Sequence, residues 1–247
     1  MLPPTERAPA DPARHRGPSL VAVAITYVVL FLASLAISGG MAGGQHFPSP
    51  FQPAEESTRF FARHAKAVQV MAFLQFGAAV PLGIFAASAS SRVQFLGMKV
   101  AGINIAFFGG IGAAFALTLS SLGEWVLSQP GVLDSAATVR ALHLLCFTAG
   151  GPGYVVPFGL LVAGISVVAG LQRFVPRWLM TFGLVTALVA ELSTLVLIVP
   201  AAGYLLPLAR FPGFVWMILV GALLPTAKAS VRARGAAPAV LQDAPGP

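Results

Sequence analysis

Six apolar stretches, each long enough to cross a bilayer, leave this chain few folds to choose from. They run over about residues 19–39, 67–90, 95–120, 141–170, 178–200 and 205–225. A helix needs about 20 apolar residues to span the hydrocarbon core. Only 9% of the 247 residues are charged, against about 25% in soluble domains, so a water-exposed globule is excluded. The expected fold is all-α: an integral membrane bundle of six transmembrane helices over 19–225. A disordered N-terminal tail (1–18) and a disordered basic C-terminal tail (226–247) flank it, and no soluble domain is expected.

The formal net charge of +7 does not indicate nucleic acid. Lysines and arginines gather at span ends and in the tails, where they set topology and meet anionic headgroups. No basic patch is interleaved with aromatic residues in the way single-strand binding needs. The partner expected from composition is therefore the lipid bilayer. Cys146 is the only cysteine, so an intrachain disulfide and a thiolate metal cluster are both excluded.

Orientation follows from charge. With six spans both termini share a side, which collects Arg7, Arg14, Arg16, Arg92, Lys99, Arg173, Arg177, Lys228, Arg232 and Arg234. The other side holds Arg59, Arg63, Lys66, Arg140 and Arg210, half as many. The positive-inside rule places both termini in the cytoplasm. Arginine outnumbers lysine 12 to 3 amid abundant Ala, Gly and Pro, a bias that suggests a GC-rich bacterial genome and hence an inner (plasma) membrane. Arginines precede the first stretch, and Ala36-Ile37-Ser38 looks like a small-residue cleavage site. The run exceeds the about 7–15 residues of a signal-peptide core, so an uncleaved span is expected.

Between spans, Pro53-Ala54-Glu55-Glu56 looks like a helix start with acids in its first turn, leading a short interfacial helix into the second span. Pro81 predicts a kink in that span, and residues 121–139 read as an interfacial loop. The third span repeats small residues every four positions: Gly102, Ala106, Gly110, Ala114 and Thr118, widened by Gly109 and Ala113. Helices in lipid associate by close backbone approach, so this face predicts a packing seam.

One carboxylate, Glu191, is expected to be the only charge at hydrocarbon depth. Gly183, Ala187 and Glu191 follow at four-residue spacing, which predicts that the carboxyl points at a neighbouring helix. A mid-helix acid costs about 2.5–3.5 kcal/mol on insertion scales, so Glu191 is expected to be either protonated or hydrogen-bonded to several donors. Gln75, His143 and Thr148 are the candidates on its half of the bilayer, with Ser193 and Thr194 close along its own helix. The functional reading is a proton or cation site; the structural one is a polar lock between helices.

Two further features bear on function. Gly150, Gly151, Pro152 and Gly153 interrupt the fourth stretch and free backbone carbonyls inside a membrane segment, as discontinuous transporter helices do; a plain kink explains them equally. His143 and His64 both fall near the outer surface, but neither helix shows the paired histidines that hold a cofactor. No cofactor and no metal site are read from the sequence. Nucleophile elbows, zinc-protease pairs and phosphate loops have no match, and Gly109-Gly110-Ile111-Gly112 lies inside an apolar helix with no strand before it. These absences lean against an enzyme.

The run Gly150-Gly151-Pro152-Gly153-Tyr154-Val155-Val156-Pro157-Phe158-Gly159, with Arg177-Trp178-Leu179 and Ala190-Glu191-Leu192-Ser193-Thr194, resembles bacterial six-helix integral membrane proteins classed as a domain of unknown function. Phe76-Gly77 and Pro81-Leu82-Gly83 fit the same likeness, which covers about residues 60–225. It implies a six-helix architecture and no activity. The leading expectation is a non-catalytic accessory, sensory or structural bundle. The alternative is a small-molecule or ion permease with a midplane site around Glu191, and an intramembrane enzyme is the distant third. A homo-oligomer and a membrane-protein partner both stay open.

Overall fold

The computed structural model describes residues 14–227; most of each expected tail lies outside them. Helices α1 (Leu20–Met41), α2 (Ala54–Phe95), α3 (Ala101–Leu127), α4 (Ala136–Gly150), α5 (Pro152–Leu171), α6 (Arg177–Leu192) and α7 (Leu205–Leu223) carry the fold. Short 3-10 turns at Ser193–Leu197 and Pro200–Tyr204 join α6 to α7. With α4 and α5 taken as one crossing, six helical segments are long and apolar enough to span a membrane. This is a multi-pass, all-helical membrane bundle.

Neighbouring helices follow the order α1, α2, α3, α5, α6, α7, and α7 returns to α1. In α5 13 of 20 residues are buried, against 5 of 22 in α1, so α5 runs through the middle. Tyr154 and Phe158 of α5 stack there with ring centroids 5.5 Å apart. Tyr27 of α1 and Tyr154 share a short buried hydrogen bond between their hydroxyls. Trp216 of α7 and Phe85 of α2 are fully buried in the same core.

The small-residue face of α3 meets two helices. A Cβ at Gly110 would collide with the Ala86 Cβ of α2. From the other side, a Cβ at Gly164 of α5 would come within 2.5 Å of the Gly102 carbonyl and 2.8 Å of the Ala106 Cβ. Backbones this close maximise dispersion contact, the chief attraction between helices in lipid.

Several boundaries differ from the sequence reading. The expected short helix before the second span is present, and α2 kinks where the two meet, at His64 (φ −120°, ψ 26°). Pro81 sits inside the helix without such a break; its ring fixes φ near the helical value, so only one backbone hydrogen bond is forfeited. The third span starts at Ala101 and continues to Leu127, so Ser121 to Leu127 are helical. Leu117, Ser121, Glu124 and Leu127 all lie on its buried side, a helical spacing that a charge and a tryptophan obscure in hydropathy. Ser128 and Gln129 then hydrogen-bond the Trp125 carbonyl from their side chains, and Gly131 turns the chain at φ +84°.

Both described ends emerge at one end of the bundle. Arg14 and Ala227 form a β-bridge, and the His15 N–H donates to the Thr226 carbonyl at 2.8 Å. Arg92, at the end of α2, donates to the Pro18 carbonyl at 3.4 Å.

Candidate functional site

At the end of the bundle opposite the termini, the helices part around a cavity of about 250 Å³. Four of them send a polar side chain to its wall: Gln75 from α2, Glu124 from α3, His143 from α4 and Arg210 from α7. Aliphatic and aromatic groups supply the rest, among them Phe31, Leu117 and Leu206. The loop between α1 and α2 covers the mouth, where the Phe47 ring packs edge-on against His143 and Phe61 at centroid distances of 5.6 and 5.5 Å.

Arg210 occupies an apolar helix yet is held on several sides. Its guanidinium carbon lies 5.0 Å from the Tyr154 ring centroid and 5.2 Å from that of Phe31, within cation–π range. Its Nη2 donates a short hydrogen bond to the Gly150 carbonyl. That carbonyl is freed because α4 ends at Gly150 and Pro152 opens α5, with Gly151 outside helical dihedrals between them (φ −86°, ψ −108°). The glycine-proline interruption thus positions an acceptor, and an arginine from another helix fills it.

Glu124 is less well served. It is 8% exposed, and its Oε2 has no hydrogen-bond partner among the described residues. Ser120, one turn earlier, lies within reach of the carboxyl. The single hydroxyl proton of Ser120, however, goes to the Cys146 carbonyl at 2.9 Å. Arg210 acts on the Glu124 carboxylate electrostatically, but its Nε is itself buried without a partner. Gln75, 7% exposed, lines the cavity and makes no hydrogen bond among the described residues. Buried polar groups are nearly always paired, so two unpartnered ones, on Glu124 and Arg210 of a single wall, mark the region.

His143 is satisfied. Its Nδ1 lies 3.2 Å from the Ser57 hydroxyl, and its ring also hydrogen-bonds the Pro48 carbonyl. It therefore pins the covering loop and α2 to α4. His64 faces Gln45 at 3.0 Å and stands apart from it. Among the described residues no three His, Cys, Asp or Glu side chains come together in a way that could hold a metal ion.

Of the residues singled out in the sequence, the structure brings Gln75, His143, Gly150 and Gly151 to one cavity. Glu191 is not among its lining residues. Its side chain is exposed on α6, with Oε1 3.5 Å from where a Cβ of Gly159 would stand. The carboxyl thus lies beside a neighbouring helix, α5, but on a residue that is exposed and away from the cavity. Each residue turns a helix about 100°, so eight residues carry Glu191 about 80° from Gly183. Gly183 is packed on Trp216 of α7 and Ser166 of α5, while Glu191 stands at the exposed edge of the contact with α5. Thr148 donates to the Leu144 carbonyl at 2.9 Å and does not line the cavity; Pro152 and Gly153 lie beyond it, in the first turn of α5.

Sequence reasoning missed Glu124 and Arg210, the two charges of the site. Glu191 is not the only charge within the crossings. Arg210 is the sixth residue of α7, and its presence inside an otherwise apolar run was the available signal. Glu124 was hidden by ending α3 at the first drop in hydropathy, although the spacing of Leu117, Ser121 and Glu124 continues the helix. With this geometry in view, the chain matches no protein-family model, no curated protein and no solved structure.

Proposed function

We propose that this chain is a non-catalytic sensory or accessory protein of a bacterial inner membrane, and that it works by binding a small molecule in the Gln75–Glu124–Arg210 cavity. One observation carries the reading: Glu124, Arg210 and Gln75 line the same cavity, and Glu124 Oε2 and Arg210 Nε have no hydrogen-bond partner among the described residues. A purely structural polar lock pairs its groups with each other, since unpaired ones cost about 1–3 kcal/mol each. A hydrogen-bonding guest removes that cost. The hydroxyl and imidazole of the cavity are already engaged: the Ser120 proton is committed to a backbone carbonyl, and His143 is committed to Ser57 and Pro48. The charge bias of the sequence supports cytoplasmic termini, which puts the cavity toward the extracytoplasmic face.

Cys146 provides the test, because it is the only cysteine and it lines the cavity. In membranes holding the full chain, a small polar methanethiosulfonate reagent is expected to label Cys146 slowly, and Phe47→Ala to speed that labelling by thinning the cover. A thiol that stays inert in the folded protein and reacts only after denaturation would mean a sealed seam, and the binding reading would fall.

A further inference from the structure

The charges on the cavity wall narrow the guest beyond the binding reading just given, on which this inference rests. Glu124 needs donors. Arg210 gives Nη2 to Gly150 and still lines the cavity, so its charge bears on a guest. Gln75 offers one acceptor and one amide donor group. A free anion would sit against the Glu124 carboxylate, and a free cation against the Arg210 guanidinium. The two formal charges on the wall cancel, but they stand on different helices, α3 and α7, with no hydrogen bond joining them. A guest that complements both poles without adding net charge to a low-dielectric site carries one positive and one negative group.

Size and lining add to this. The cavity is about 250 Å³, below the ~300–1,000 Å³ of sites for drug-sized ligands, and the rest of its lining is mainly apolar, with Leu, Met, Phe and Pro side chains beside Ser120, His143 and Cys146. We infer that the cavity binds a small zwitterion with an apolar side group, the chemistry of a free aliphatic α-amino acid. Its carboxylate faces Arg210, its ammonium faces Glu124 and Gln75, and its side group lies against Leu117 and Leu206.

The experiment uses the full-length protein in membranes and reads the labelling rate of Cys146 with three probes of matched shape. L-leucine carries both charges, 4-methylpentanoate only the negative one, and 3-methylbutylamine only the positive one. Only the unoccupied fraction reacts, so leucine at ten times its dissociation constant is expected to slow labelling roughly tenfold, while each half-molecule protects far less. Glu124→Gln is expected to abolish the protection, and Glu191→Gln to keep it. The wild-type comparison of the three probes needs no variant to fold.

Equal protection by leucine and by either half-molecule would overturn the zwitterion and leave the cavity standing as a binding site. Labelling that none of the three probes slows would overturn it too. A Cys146 that cannot be labelled in the folded protein would remove the binding reading itself.

Discussion

Arg210 of α7 donates to the Gly150 carbonyl at the junction of α4 and α5, so the one broken crossing of this bundle is closed by a side chain from a different helix. Because α7 also packs on α1 and α6, that contact ties the cavity wall to the ring of helices. It makes the site and the fold depend on the same residue.

Removing the arginine takes from the Gly150 carbonyl the side-chain donor that the fold supplies. Arg210→Met, which keeps much of the stem, is expected to destabilise the protein by about 1–3 kcal/mol. Arg210→Lys is expected to restore part of the loss, since an ammonium can still donate. Unfolding in mixed detergent, followed by loss of helical signal, measures both. A methionine variant as stable as wild type would show that the carbonyl does not depend on Arg210.

The seam of α3 makes a sharper prediction because a control lies in the adjoining helix. Gly110→Ala places a methyl against the Ala86 Cβ and is expected to cost about 1–3 kcal/mol through displaced helices. Gly77 of α2 has open space where a Cβ would go, so Gly77→Ala is expected to be neutral or slightly stabilising. Comparing the two unfolding midpoints separates packing from helix propensity.

Glu191 is exposed and off the cavity. Glu191→Gln is expected to change stability by no more than about 0.5 kcal/mol and to leave the Cys146 labelling rate unchanged. A large change in that rate would reconnect Glu191 with the cavity.

The docked N-terminal segment is expected to respond to pH through His15. Its ring packs edge-on against Phe95, lies 3.1 Å from the Ser91 hydroxyl and sits near Arg92. Burial, and then the Arg92 charge, lower its pKa from the ordinary 6.5. A folded-state value below the unfolded one means the neutral ring is favoured when docked. The stabilisation is therefore complete above about pH 6.5 and is lost as pH falls toward the lowered value. Hydrogen exchange at the His15 N–H, bonded to the Thr226 carbonyl, is the readout, corrected for intrinsic rates. Protection that falls between pH 7 and pH 5 in wild type, and stays level in His15→Gln, is the expected result.

Much of the architecture was legible before any coordinates. Apolar length located the crossings, because the bilayer sets a minimum run that hydropathy reports directly. The Gly-xxx-Ala spacing of Gly102, Ala106 and Gly110 located a close-packed face, because small residues have one main use in lipid-embedded helices. The glycine-proline run located the break, because proline cannot continue the preceding hydrogen-bond ladder.

The site was legible only in pieces. Gln75, His143 and Thr148 were named from depth alone, and their grouping around Glu191 assumed that residues at one depth share one side of the bundle. Rotation about each helix axis decides that. It turned Glu191 outward within two turns of Gly183 and brought Glu124 inward at the end of a helix whose last turn looked like loop.

Hydropathy and small-residue spacing are one-dimensional properties, so the residues alone settled a six-crossing helical membrane bundle and its tightest seam. Which polar groups meet is set by the azimuth of four helices and by the order in which α7 closes the ring against α1. Only the packed structure could place Arg210 over Gly150 and leave Glu124 facing a cavity with nothing to bind it.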